Sequence, residues 1–327
     1  MSDEAPLQRG RVVRTQSGFF TVEIPAGNHV VCQISGRLKI EALRAEQRED
    51  ASRSDLVALN DFVSFELQTD GTGFIVEVHD RFNVLSRTEP GAKVGTSAEA
   101  EQIIIVNVNQ AVFVFAAEQP RPQPRALDRL LVIAEKAEIP DIVIIINKMD
   151  IADREATKSQ FKVYEDIGYP VLYVSADAGE NIDQLHDVLV GTDKVSVFTG
   201  PSGVGKSSLL NAIQSGLQLD TNDVSTATTK GKHTTRFSQL LELNEGGYVA
   251  DTPGIRAIAP WDIEPDELDG YFVEFYDYIV QCKFKDCSHI HEPGCAVRQA
   301  VEAGDISEGR YDSYLRLREE LEEQYIY

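Results

Sequence analysis

Residues 200–207 read Gly-Pro-Ser-Gly-Val-Gly-Lys-Ser, a G-x-x-x-x-G-K-S pattern. It sits between the strand-like Val195–Phe198 and the helix-like run that starts at Ser207. Few short segments restrict a fold more. Glycines let backbone N–H groups turn inward around phosphate oxygens, and the start of the following helix adds partial positive charge. That arrangement needs a strand, a loop and a helix in succession, which points to an α/β sheet. Lys206 is expected to reach the β- and γ-phosphates of a nucleotide and to act in catalysis, and the Ser207 hydroxyl to bind Mg²⁺. The expected phosphate-binding stretch is Thr199, Gly200, Pro201, Ser202, Gly203, Val204, Gly205, Lys206, Ser207 and Ser208.

The flanking patterns agree. From Gln102, apolar runs of strand length (IIIV, AVFVFAA, DIVIII, VLYVSA, KVSVFTG, GGYVAD) alternate with helically spaced segments at Arg125–Ala137 and Ile182–Leu189. This alternation predicts an α/β domain with a mostly parallel sheet. Residues 10–80 instead carry five short strand-like segments (GRVVRT, GFFTVEI, HVVCQIS, DFVSFELQ, FIVEVHD) broken by Pro25–Asn28 and Asp70–Gly73. They predict a small β-barrel, with an OB-fold as one option. Ser86–Glu101 reads as a linker or exposed loop, and after about Pro260 strand signals stop. At 327 residues the chain suits two or three domains. The expected division is 1–85 for the barrel, 86–258 for the nucleotide domain and 259–327 for a mainly helical C-terminal domain.

A base-recognition motif follows one of the buried strands. In Asn147-Lys148-Met149-Asp150, the Asp150 carboxylate can accept from both the N1–H and the exocyclic amine of guanine, a donor pair that adenine lacks. Asn147 would brace the loop, and the Lys148 stem would pack on the base. Ser175 and Ala176 end the next strand, where a backbone N–H could meet the guanine O6. Asp251-Thr-Pro-Gly254 ends another, where Asp251 would hold Mg²⁺ through water and the Gly254 N–H would sense the γ-phosphate. The loop Thr226–Thr235 offers Thr234 or Thr235 as a further Mg²⁺ ligand. The order is unusual. Ordinary small GTPases place the phosphate loop first and N-K-x-D later. Here N-K-x-D comes first, so the nucleotide domain is circularly permuted, which a sheet survives when its old termini can be joined. The γ-phosphate-sensing segment then runs directly into the C-terminal domain.

The balance of 31 basic against 53 acidic residues gives a net charge of −22, which taken alone argues against a nucleic-acid partner. The charge is uneven. Residues 194–236 hold five basic and two acidic residues, whereas 251–327 hold 7 basic and 18 acidic. The acidic tail Arg318–Tyr327 reads as a solvated helix face. No apolar run approaches the length of about 20 residues that a membrane span needs, and the N-terminus lacks a secretory pattern, so a soluble, cytoplasmic chain is expected. Cys32 stands alone as a small buried hydrophobe. Cys282, Cys287 and Cys295 crowd together with His289 and His291; three thiolates and one imidazole suit a closed structural Zn²⁺ site, with either histidine available.

The permuted order, GPSGVGKSSLLN, the TATTKGKHTT loop, DTPGIR and CKFKDCSHIHEPGC together resemble the ribosome small-subunit-dependent GTPase A (RsgA) family, over nearly the whole chain. The resemblance implies an OB-fold, a permuted GTPase domain and a zinc-binding domain with His289 as the fourth ligand. It also implies a monomeric GTP hydrolase that assists late maturation of the small ribosomal subunit, with 16S rRNA as a contact and no membrane partner. Where Ras-type enzymes place a water-orienting Gln, this chain has Ile255, so intrinsic turnover is expected to be slow. His233, in a motif that matches the family's GHTT pattern, is the catalytic replacement, with the ribosome ordering its loop. Two rival readings are a GTP-gated assembly checkpoint with negligible turnover and a permuted GTPase acting on a protein or membrane partner.

Overall fold

The strand-like segments near the N-terminus share one inward face. In the computed structural model, which describes residues 7–25, 27–46, 56–88, 101–215, 217, 238–251 and 263–325, they close on themselves. The strands are β1 (Gln8–Gln16), β2 (Phe19–Glu23), β3 (His29–Ile34), β4 (Phe62–Leu67) and β5 (Gly73–Val78), with helix α1 (Gly36–Glu46) after β3. β1 pairs antiparallel with β2 and β4, β2 with β3, and β4 with β5, while β3 and β5 pair in parallel, which completes a five-stranded barrel. Its interior is Val12, Phe20, Val22, Val30, Cys32, Val63, Phe65 and Ile75. Burial pushes the Cys32 thiol up to about 12, as befits a small apolar core residue.

The fold departs from two sequence expectations. Residues 86–88, read as linker, belong to β6 (Val84–Thr88), and the IIIV run lies in β7 (Glu101–Val106). These two strands form an antiparallel ribbon of their own, so IIIV is not a strand of the parallel sheet. An apolar run of four residues marks a buried strand without naming its partner.

The nucleotide domain follows as β8 (Gln110–Ala116), α2 (Pro124–Lys136), β9 (Asp141–Asn147), α3 (Arg154–Asp166), β10 (Val171–Tyr173), α4 (Ile182–Leu189), β11 (Val195–Thr199), α5 (Lys206–Ile213), β12 (Ser238–Glu242) and β13 (Tyr248–Asp251). The sheet order is β10-β9-β8-β11-β13-β12, parallel except for β12. Alternate residues of β8 feed two cores: Ala111, Phe113 and Phe115 meet α2 and α3 on one face, while Val112, Val114 and Ala116 meet α4 and α5 on the other. A sheet buried on both faces explains why its strands read as continuous apolar runs. β12 also pairs with β1 at Arg14↔Gln239 and Thr15↔Ser238, so barrel and nucleotide sheet are one hydrogen-bonded surface. At that seam the Arg11 guanidinium lies 5.1 Å from the Phe62 ring centre and 4.8 Å from that of Tyr248, and its Nη2 donates to Asp193 Oδ1 at 3.2 Å.

The C-terminal part contains short 3₁₀ turns at Pro265–Tyr271 and Val273–Phe275, then α6 (Tyr276–Ile279), α7 (Ala296–Ala303) and α8 (Glu308–Tyr325). Phe272, Phe275 and Tyr314 pack as an aromatic cluster. Val132 of α2 enters this core, and below it Asp128 accepts from Arg310 Nη1 at 2.7 Å and Tyr164 Oη at 2.9 Å, all three side chains being buried. Arg310 also forks onto Glu274 at 2.7 and 3.0 Å. The acidic tail is therefore not wholly solvated: among its described residues Arg318 and Leu321 are buried and Glu320 pairs with Arg129. Among the described residues no helix is long and apolar enough to cross a membrane.

Candidate nucleotide site and metal centre

The sheet brings three separated loops to the same edge. β11 carries the chain to Thr199, the loop turns through Gly200–Gly205, and α5 begins at Lys206. Gly200, Gly203 and Gly205 have φ of 149°, 79° and 95°, which only glycine adopts without strain. Space forbids larger residues as well: a Cβ on Gly200 would lie 2.0 Å from the Val114 carbonyl oxygen, and one on Gly205 2.3 Å from Asn147 Nδ2. Lys206 is buried, and its ammonium donates to the carbonyls of Gly200 and Pro201, each at 2.7 Å. The ammonium thus reaches back across the loop to its first residues. Thr199, Gly200 and Val204 are buried, Pro201 and Ser207 half-buried, and Ser202, Gly203 and Ser208 exposed.

Asn147 ends β9 and is 2 % exposed. Its Nδ2 donates to the Val204 carbonyl at 2.9 Å, while its Oδ1 accepts from the Ala176 N–H at 3.1 Å. One amide therefore ties the phosphate loop to the Ser175-Ala176 loop. Lys148, at φ 65°, donates to the Gly203 carbonyl at 2.7 Å and to that of Gln119. Asp150 is exposed, and its Oδ1 accepts from the buried Ser175 hydroxyl at 2.5 Å. Met149, grouped with the nucleotide residues on sequence, has its side chain in the core beside Phe161, and its backbone N–H is spent on the Val174 carbonyl. Asp251 ends β13 beside β11: Ala250 registers with Val197. Gly254, Ile255, His233, Thr234 and Thr235 lie outside the described residues.

One contributor was missed in the sequence. Gln119, after β8, meets the Lys148 ammonium, and Pro120 lies 3.8 Å from where a Cβ on Gly203 would stand. No apolar period or known spacing marks such a loop contact; only the place of β8 between β9 and β11 creates it.

The second cluster lies between α6 and α7. The ligand atoms of Cys282, Cys287, His289 and Cys295 all fall within 4.8 Å of one another. His289 Nδ1 faces the sulfurs of Cys282 and Cys295 at 3.6 and 3.4 Å, while its Nε2 meets Asp269 Oδ2 at 3.0 Å. A carboxylate on the far ring nitrogen is the usual orienting partner of a metal-bound imidazole. Backbone N–H groups of Ala296 and Arg298 point at the Cys282 and Cys295 sulfurs. Burial drives the Cys287 thiol up to about 12, so a nearby cation is what would make it a thiolate. The donor set fits a divalent metal. His291, the open alternative, is exposed and outside the cluster.

Comparison with known proteins adds to this geometry. The family model for the RsgA GTPase matches residues 78–261. The small ribosomal subunit biogenesis GTPase RsgA of Gemmatimonas aurantiaca is 42 % identical over 95 % of this chain and 97 % of its own length. The protein of the same name from a Geobacillus species is 39 % identical over 97 % of this chain and 99 % of its own. Among solved structures, YjeQ from Thermotoga maritima superposes with a TM-score of 0.76 at 35 % identity, covering 97 % of this chain and 99 % of that one. YloQ, described as a circularly permuted GTPase, gives 0.73 at 29 % identity, covering 99 % and 98 %.

Proposed function

Because the chain belongs to the RsgA GTPase family and is thereby a GTP hydrolase, we propose that it works on the small ribosomal subunit during late maturation, with turnover stimulated by that subunit. The observation that carries the nucleotide assignment is the double tether of Asn147 to Val204 and Ala176, which joins the phosphate-binding and base-binding loops into one cradle. GTP would lie with its guanine edge on Asp150 and the Ala176 N–H, and its phosphates on the Gly200–Ser207 loop and Lys206. Mg²⁺, when bound, neutralises charge on the β- and γ-phosphates. Ser207 and Asp251 would hold it, with Thr234 or Thr235. Oxygen donors at the start of α5 and at the end of β13 suit that hard cation. Lys206 would stabilise the charge that develops as water attacks the γ-phosphorus in line. His233 would orient that water in place of the missing Gln at Ile255.

The Cys282, Cys287, His289, Cys295 set would hold one structural Zn²⁺, since four protein ligands leave no open position. An RNA contact is supported by the metal-bearing segment, where the Lys283 ammonium lies 5.3 Å from the ring of the exposed Phe284 within an otherwise acidic region. A checkpoint with negligible turnover is the second reading. GTP hydrolysis measured against increasing small subunits, large subunits and free RNA decides between them. Stimulation by small subunits alone is expected. In His233→Ala the plateau rate should fall by about 10²–10⁴-fold with little change in GTP affinity. A normal plateau reached at higher subunit concentration would instead make the loop a docking element.

A further inference from the structure

One charged pair outside the expected nucleotide contacts is placed against local preference. Arg154 is the first residue of α3, where the helix dipole disfavours a cation. Its guanidinium reaches across to Glu180 as a fork, with Nη1 donating to Oε1 at 2.6 Å and Nη2 to Oε2. This fork holds the Glu180 carboxyl below its ordinary value. Glu180 in turn exchanges both backbone hydrogen bonds with Ser175, at 3.1 and 2.9 Å, and so closes the loop that carries Ala176. The Ser175 hydroxyl donates to Asp150 and accepts from the Ala178 N–H at 3.1 Å. The fork therefore links the segment just after Asp150 to the loop that supplies Ser175 and Ala176.

We propose that Arg154 and Glu180 are positioning residues for base discrimination, holding the Asp150 carboxylate and the Ala176 N–H at a fixed separation. Neither touches the nucleotide. Two parallel hydrogen bonds from one base edge demand alignment, because hydrogen bonds weaken steeply as their angles close. A loop free to rock keeps one of the two bonds and loses the other. The bond at risk is the one to the exocyclic amine, which distinguishes guanine from hypoxanthine. The inference rests on the assignment of Asp150 as the guanine acceptor.

The test is steady-state hydrolysis of GTP and ITP by the full chain, with Asp150→Asn as a control for the underlying assignment. Arg154→Ala is expected to raise KM for GTP by roughly two- to fivefold, as suits an exposed bidentate pair, with kcat unchanged. The preference for GTP over ITP should narrow by a similar factor. Glu180→Gln, which keeps the shape, should do the same more weakly, and the exchange of the pair, Arg154→Glu with Glu180→Arg, should restore part of the preference. An unchanged preference in Arg154→Ala, beside an Asp150→Asn that loses GTP, overturns the proposal alone. A fall in Tm with equal losses for both nucleotides also overturns it, since that is the mark of a structural pair. If Asp150→Asn leaves the preference intact, the guanine assignment itself falls.

Discussion

Asn147→Asp isolates one bond of the cradle. The aspartate keeps an oxygen where Oδ1 accepts from the Ala176 N–H, but it puts a second acceptor where Nδ2 donates to the Val204 carbonyl at 2.9 Å. Asn147 and Val204 are 2 % and 1 % exposed, so water has little room to replace the lost donor. A buried carbonyl left without a partner costs about 1–3 kcal/mol. If that cost falls on the nucleotide-bound geometry, GDP binding weakens by roughly 5- to 150-fold, at about 1.4 kcal/mol per tenfold. Asn147→Ala removes both tethers without adding charge and should weaken binding at least as much. Gly205→Ala attacks the same contact from the other side, since its Cβ would stand 2.3 Å from Nδ2 at a φ of +95°. The assay is titration of a fluorescent GDP, paired with thermal unfolding with and without saturating nucleotide. The expected signature is lost affinity in a folded protein. GDP affinity within twofold of the parent in both Asn147 variants would refute the view that this amide assembles the site.

Two further outcomes test the rest of the molecule. Purified protein should carry about one equivalent of zinc by elemental analysis; Cys287→Ser should lose it together with amide-exchange protection in residues 276–303, and a fully protected zinc-free variant would dismiss the metal reading. Asp128→Ala should destabilise the docking of α8 on α2 by about 3–5 kcal/mol in urea unfolding, because it leaves the buried Arg310 short of a partner; a loss below about 1 kcal/mol would show that Glu274 alone satisfies that guanidinium.

The candidate phosphate loop, the base motif and the three clustered cysteines were legible in the sequence because each depends on residue type at fixed local spacing. Gly200, Gly203 and Gly205 are demanded by backbone conformation, and Cys282, Cys287, His289 and Cys295 fall within fourteen positions of one another. The barrel strands were legible through alternation, since one face of each strand is buried. What depends on partners far away in the chain was not. The IIIV run has the composition of a sheet strand, yet pairs with β6, because register and neighbour are chosen by the whole fold. Ser238–Glu242 became the seam to the barrel only through its two-residue pairing with β1. Between His289 and His291 the spacing left a choice, and tertiary packing decided it: Asp269 fixes the far nitrogen of His289, whereas His291 faces solvent. The same reason applies to Asn147, Arg154 and Gln119. A polar side chain advertises its capacity for hydrogen bonds in the sequence, but the partner that uses it is supplied by the fold.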